Sequence, residues 1–285
     1  MDGSWLKTFI LYCHSIVYIV QLFYNRKKTM SRIIAIANQK GGVGKTTTAV
    51  NLATGLAIAE KKTLLVDLDP QANATSGLGI RIENNQKSIY ELLIDSISPE
   101  DIFLPTEVPF LDIIPSSITL VGAEIELVNI ENRELALRDS AREFFRKYDY
   151  VILDNPPSLG LLTINSLTTA DSVIVPIQCE YYALEGLSQL LNTVRLVQQH
   201  LNPDLKIEGA VMTMYDSRLN LARQVEDNIR TYFEGKVFNT IINRNVRLCE
   251  APSYGKPIFL YDITSRGAEN YLALAQELLV HDSTA

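Results

Sequence analysis

The residues best equipped for chemistry stand together in Gln39-Lys40-Gly41-Gly42-Val43-Gly44-Lys45-Thr46-Thr47-Thr48. Glycines at this density let backbone amides converge on phosphate oxygens, and a helix starting here adds the positive end of its dipole. Lys45 can reach the β and γ phosphates of a nucleotide, and the Thr46 hydroxyl can ligate magnesium. The apolar run 33–37 ahead of it reads as a strand and 49–60 behind it as a helix, the context that a phosphate loop requires. A glycine-rich turn carrying a capping threonine is the bland alternative, which G-K-T-T in this setting outweighs. One position departs from G-x-x-x-x-G-K-[ST]: Gln39 stands where the first glycine belongs, and Lys40 follows it.

Two further apolar runs end in acids. In Leu64-Leu65-Val66-Asp67-Leu68-Asp69-Pro70-Gln71, strand periodicity puts Asp67 and Asp69 on one side. Carboxylates at the C-terminal edge of a parallel sheet, beside a phosphate loop, can hold the waters of a magnesium ion and orient an attacking water. Tyr150-Val151-Ile152-Leu153-Asp154 is the second run, with Asp154 placed to hold magnesium through water. Pro156 and Pro157 stiffen the loop that follows, which suits a switch sensing the γ-phosphate. Taken singly, each run is a strand opening into an acidic loop; beside Lys45 the two complete a nucleotide site.

Positioning these groups takes a sheet. Short aliphatic and β-branched runs recur at 33–37, 64–66, 111–114, 151–153, 173–177 and 207–212. They are continuous rather than alternating, as in strands buried on both faces. Between them lie stretches with helical spacing, such as Leu184, Leu187, Leu191, Val194, Val197 and Leu201, and Ala268, Tyr271, Leu272, Ala275, Leu278 and Leu279. The alternation predicts an α/β fold with a doubly wound, mostly parallel sheet flanked by helices, a P-loop NTPase. No internal repeat or long linker interrupts it, so residues 30–285 read as one domain.

Composition agrees and adds limits. Of 285 residues, 47% are hydrophobic and 21% charged, which excludes disorder as the main state. Cys13, Cys179 and Cys249 lie far apart, leaving neither a disulfide framework nor a cysteine zinc site, and a reducing cytoplasm is the expected compartment. Residues 1–29 hold one acid against four bases, so the net charge of −7 becomes −10 for the remainder, with 22 basic and 32 acidic residues. From Trp5 to Tyr24 that first segment is nearly all apolar, and Asn25-Arg26-Lys27-Lys28 follow. It is long enough to span a bilayer and oriented to keep the body cytoplasmic. Two readings stand: a membrane anchor, or upstream DNA translated from a start codon set too early, with Met30 the true first residue. The second is favoured, because Ser31-Arg32-Ile33-Ile34 already opens a core strand.

The variant K-G-G-x-G-K-[ST]-T beginning at Lys40 resembles the deviant Walker A motif of the ParA/MinD superfamily. The likeness covers residues 30 to about 280 and is closest to the chromosomal ParA group, often called Soj. It is carried by Lys40 to Thr48, by V-D-L-D-P-Q-A-N-A-T-S-G-L-G from Val66, by P-I-Q-C-E-Y-Y-A-L-E-G-L from Pro176 and by R-N-V-R-L-C-E-A-P-S-Y-G-K-P-I from Arg244. The resemblance implies a slow ATPase that uses ATP and Mg2+ and forms an ATP-sandwich homodimer. In it Lys40 contacts the nucleotide of the partner subunit, as an arginine finger does in trans. Lys40, Lys45 and Asp69 are then catalytic, with Asp69 positioning the attacking water. ATP is held by Lys40, Gly41, Gly42, Val43, Gly44, Lys45, Thr46 and Thr47, with Met214, Asn243 and Asn245 around the adenine; Thr46, Asp67 and Asp154 serve magnesium.

The same resemblance implies that the ATP dimer binds DNA nonspecifically through Arg218 and Arg247, with Arg223, Lys236 and Arg244 as further candidates. A ParB-type centromere-binding protein then stimulates hydrolysis and release, in a cytoplasmic, nucleoid-associated cycle of chromosome or plasmid segregation. On an acidic body such binding requires a concentrated basic patch and falls with salt; each of these bases could equally be an ion-paired surface residue. Departures from the family pattern are Ala72 for glycine, Asn155 in the second switch and Asn243 for proline. The main alternative is a MinD-like, membrane-associated division-site ATPase, disfavoured because residues 273–282 contain no lysine or arginine for a basic amphipathic tail. A redox ATPase like the nitrogenase iron protein needs cysteines that 154–160 lack. No dedicated substrate motif marks a small-molecule kinase or ligase, and a GTPase would need an absent N-K-x-D motif. Only 39 residues precede Lys40, so no operator-reading helix-turn-helix domain is expected.

Overall fold

A computed structural model describes residues 31–83, 86–180 and 185–284. The segment 1–29, with its two readings, lies outside the described residues, as do positions 181–184 of the motif that begins at Pro176. The strands are β1 (Arg32–Ile36), β2 (Thr63–Asp67), β3 (Leu104–Pro105), β4 (Leu111–Ile114), β5 (Tyr150–Asp154), β6 (Ser172–Gln178) and β7 (Lys206–Thr213). They form one sheet in the order β3-β4-β2-β5-β1-β6-β7. All neighbours are parallel except β3, which pairs antiparallel with β4. The helices are α1 (Lys45–Ile58), α2 (Asn73–Gly77), α3 (Ile89–Ile94), α4 (Leu120–Glu126), α5 (Ala136–Phe145), α6 (Leu161–Thr169), α7 (Glu185–His200), α8 (Asn220–Tyr232), α9 (Val246–Glu250), α10 (Ile258–Tyr261) and α11 (Arg266–Thr284).

All six aliphatic runs are strands. Because Cβ atoms alternate across a strand, Ile33 and Ala35 enter one core with α5, α6 and α7, while Ile34 and Ile36 enter the other with α1 and α11. Each isoleucine side chain among them, fully buried, contributes about 1.5–3 kcal/mol. Edge strand β3 is absent from the sequence reading for a physical reason: two residues, one of them proline, carry no periodicity and pair only along one side. Most of the apolar face of α11 is taken up by this packing, with Ala268, Tyr271, Leu274, Ala275 and Leu278 buried. Tyr271 also ties α11 to α1, its hydroxyl lying 3.1 Å from the Thr48 Oγ1. Among the described residues no helix is long and apolar enough to cross a membrane.

Where the chain leaves α2 it meets the turn after α9 backbone to backbone. Gly79 and Gly255 both have positive φ, 76° and 62°, and a Cβ on Gly79 would stand 2.9 Å from the Gly255 carbonyl oxygen. Gly79→Ala is therefore expected to cost about 1–3 kcal/mol of stability, from left-handed strain and the displaced neighbour. A chemical-denaturation midpoint equal to wild type would contradict that close approach.

Candidate functional site

Register brings the acids and the phosphate loop into one row. Asp154 at the end of β5 pairs with Ile36 at the end of β1 on one side and with Asp67 at the end of β2 on the other. The loop leaves β1 beside them, at the carboxyl edge of the sheet, where open α/β sheets place their ligands. Helix α1 starts at Lys45, four residues earlier than its apolar pattern predicts. Its N-cap is Gly44, held at φ 87°, which has no side chain to cap the helix. The first amides are thereby left for an anion, which a serine or aspartate at the N-cap would occupy.

Lys45 is buried, and its ammonium donates to the Lys40 carbonyl at 3.2 Å. Burial lowers its pKa below the ordinary lysine value, and the charges of Asp154 and Asp69 oppose the shift. Asp154 is fully buried, and neither carboxylate oxygen has a hydrogen-bond partner of ordinary geometry; the Thr46 side chain is among the groups that act on it. Burial, then the charge of Asp67, raise its pKa well above the usual carboxylate range. Such a group favours the protonated chain, a contribution present at low pH and lost as pH rises through the raised pKa. An orphaned buried carboxylate beside a threonine hydroxyl is what a hydrated divalent cation satisfies, so Thr46 and Asp154 fit magnesium.

The other two aspartates are differently placed. Asp67 Oδ2 accepts from the Thr75 amide at 2.9 Å and its hydroxyl at 2.8 Å, and Oδ1 accepts from the Asp69 amide at 3.1 Å. Burial pushes its pKa up to about 6, against the pull of those hydrogen bonds. With both oxygens engaged, Asp67 shapes the loop from Asp69 into α2 and leaves Asp154 the better magnesium neighbour. Asp69 is 6% exposed, and its Oδ1 accepts from the Gln71 amide at 2.9 Å. Thr75 and Ala72 hold this loop: Ala72, which stands where the family usually has glycine, is in the left-handed region at φ 52°, while nothing in the type of Thr75 marked it beforehand.

The expected adenine residues are brought near one another and near the loop. Thr213 Oγ1 donates to the Val43 carbonyl at 2.8 Å, and a Cβ on Gly44 would lie 3.9 Å from Met214 Cε. A single bridge joins Tyr215 to Asn243. Asn243 donates through both its nitrogens to Asn270 Oδ1, at 3.1 and 3.2 Å, and Asn245 Oδ1 caps α9 by accepting from the Arg247 amide. Both side chains thus anchor the loop. Asn155, the departure in the second switch, donates to the Ile36 and Leu153 carbonyls at 3.1 and 3.2 Å, stitching β5 to β1.

Lys40 points away from the loop its backbone builds, with its ammonium 3.5 Å from Glu180 and the side chain 34% exposed. Arg218 is 86% exposed and forked onto Asp216, with bonds of 2.8 and 2.6 Å; Arg247 pairs with Glu250 at 2.9 Å and Asp262 at 3.4 Å. Gly41 and Gly42 lie in the loop, and Thr47 lies in the first turn of α1 rather than ahead of the helix.

A family profile described as an AAA domain matches residues 31–207. The chain is 59% identical over 255 residues to the chromosome partitioning protein ParA of Myxococcus xanthus, covering 90% of each. It is 60% identical over 249 residues to the sporulation initiation inhibitor protein Soj of Bacillus subtilis, covering 87% of this chain and 98% of that one. Among solved structures, the cobyrinic acid a,c-diamide synthase of Mycobacterium smegmatis with bound ADP and magnesium superposes with a TM-score of 0.79 at 38% identity, over 89% of this chain and 96% of the other.

Proposed function

Because the chain belongs to the ParA/Soj family of P-loop ATPases in the ParA/MinD superfamily, we propose that it is an ATP-driven DNA-partitioning switch. The relatives named for chromosome partitioning support that role, and so does the site. Lys45 and the uncapped start of α1 hold the phosphates, Thr46 and Asp154 serve magnesium, and Asp69 orients the water for hydrolysis. The carrying observation is the pair of lysines set to opposite purposes. Lys45 is buried inside the loop, whereas Lys40 projects from it, which suits a cation offered to the nucleotide of a second copy. ATP then closes a homodimer, the dimer holds DNA nonspecifically, and a ParB-type protein speeds hydrolysis and release. When bound, Mg2+ supplies positive charge to the phosphates.

Arg218 and Arg247 are the proposed DNA contacts. Their acidic partners hold each guanidinium in place at the surface while leaving donors for phosphate. Arg218→Glu is expected to leave ATP-dependent dimers intact and weaken DNA retention about tenfold at fixed salt. Retention at wild-type strength in a filter-binding assay removes Arg218 from the patch. The test of the whole reading is DNA binding by residues 30–285 with ATP, with ADP and without nucleotide. Binding only with ATP supports the switch; binding that ignores the nucleotide, or none, overturns it. The MinD-like reading loses support from α11, whose apolar face packs on α1 and is not available to a lipid interface.

A further inference from the structure

Helix α4 and the turns on either side of it carry an apolar stripe that the fold does not cover. Leu120, Ala123 and Leu127 bury one face, but Ile118, Val121, Ile125 and Val128 are 67%, 50%, 70% and 52% exposed. Their spacing of three, four and three residues aligns them along a single flank of the helical turn. Between residues 116 and 131 there are three acids, Glu124, Glu126 and Glu131, all exposed, and no base. The next base along the chain, Arg133, is engaged by Glu134 at 3.1 Å and by the Val128 carbonyl at 2.6 Å. From neighbouring α3, Tyr90 donates to Glu126 at 2.9 Å and lies in the field of Glu91 and Asp95. An apolar stripe with an acidic border fits a segment of the opposite character, apolar along one side and cationic along the other. It fits a second copy of itself poorly, since like charges would face each other across a twofold axis.

Helix α4 and the segment leading into it each touch a nucleotide-sensing loop. The Glu124 carboxylate lies so close over Gly160, at the end of the second switch, that a Cβ there would overlap it. Just before α4, the Ser116 amide donates to Thr75 Oγ1 at 3.0 Å, and Thr75 in turn holds Asp67. Anything that seats on the stripe therefore bears on the loops that position Asp69 and Asp154.

We propose that the exposed flank of α4 is the docking surface for a cationic, amphipathic segment of the partner that stimulates hydrolysis, a site that rests on the partner-stimulated cycle proposed above. The test is ATP turnover of the full chain with a purified ParB-type protein from the same genome bound to its DNA site. Val121→Ser with Ile125→Ser is expected to keep the basal rate and ATP-dependent dimers while stimulation drops at least tenfold. Glu131→Lys is expected to raise the half-saturating partner concentration severalfold at unchanged maximal rate. Stimulation of the serine double variant at wild-type level overturns the surface. Loss of its ATP-dependent dimer in sedimentation also overturns it, by making the stripe a contact between copies. An unchanged half-saturation for Glu131→Lys overturns the cationic character of the segment. If the wild-type chain is not stimulated at all, the partner cycle itself fails, a result distinct from any variant's behaviour.

Discussion

Lys45→Ala is expected to weaken ATP binding by a factor of about 100 to 10,000. The side chain is buried at the start of α1, where its ammonium is desolvated and finds a carbonyl oxygen at 3.2 Å. A lysine held in that condition is poorly satisfied, and phosphate oxygens satisfy it better. Each charge-assisted hydrogen bond is worth roughly 1.5–3 kcal/mol, so contacts to two phosphates amount to about 3–6 kcal/mol, at 1.4 kcal/mol per tenfold. The alanine variant also leaves Asp154 and Asp69 without the cation that offsets their charge, which adds repulsion against an incoming nucleotide. Direct titration with a fluorescent ATP analogue measures the effect, with thermal unfolding as the check that the variant is folded. Unchanged affinity would sink the phosphate-loop assignment.

The second large effect belongs to Asp69→Ala, expected to lower turnover about 100- to 10,000-fold, the range for removing a group that handles a proton or positions a water. Nucleotide affinity and ATP-dependent dimers should survive. Asp69 makes few structural bonds of its own: its backbone amide donates to Asp67, and its Oδ1 accepts from Gln71. By contrast Asp67 holds Thr75 twice and Asp69 once, so replacing it should disturb the loop before it disturbs chemistry. Phosphate release with and without Asp69 separates the two. A normal rate in Asp69→Ala would take that residue out of the reaction.

Much of the site was legible because its physics is local. The glycines, Lys45 and Thr46 act through adjacent backbone, and a continuous aliphatic run ending in an acid marks a buried strand opening at the carboxyl edge. The start of α1 was misplaced by four residues for the converse reason: its first turn is polar, because it faces a ligand rather than the core. Asn243 pairs with Tyr215, next to Met214, but what the side chains of Asn243 and Asn245 do depends on Asn270 and the α9 amides, partners that sequence spacing does not reveal. Strand β3 was invisible because two residues make no pattern.

Residue types and spacing were enough to establish a parallel α/β sheet, a phosphate loop with a second lysine, and three aspartates beside it. Each follows from short-range periodicity and stereochemistry. The division of labour among those aspartates came from packing between distant segments. Strand register set Asp154 between β1 and Asp67, the turn into α2 engaged both oxygens of Asp67, and Asp154 was left buried with none of its own. Long-range packing likewise left Val121 and Ile125 facing solvent on a helix that, with the segment leading into it, touches both switch loops, because exposure is a property of what the rest of the chain fails to cover.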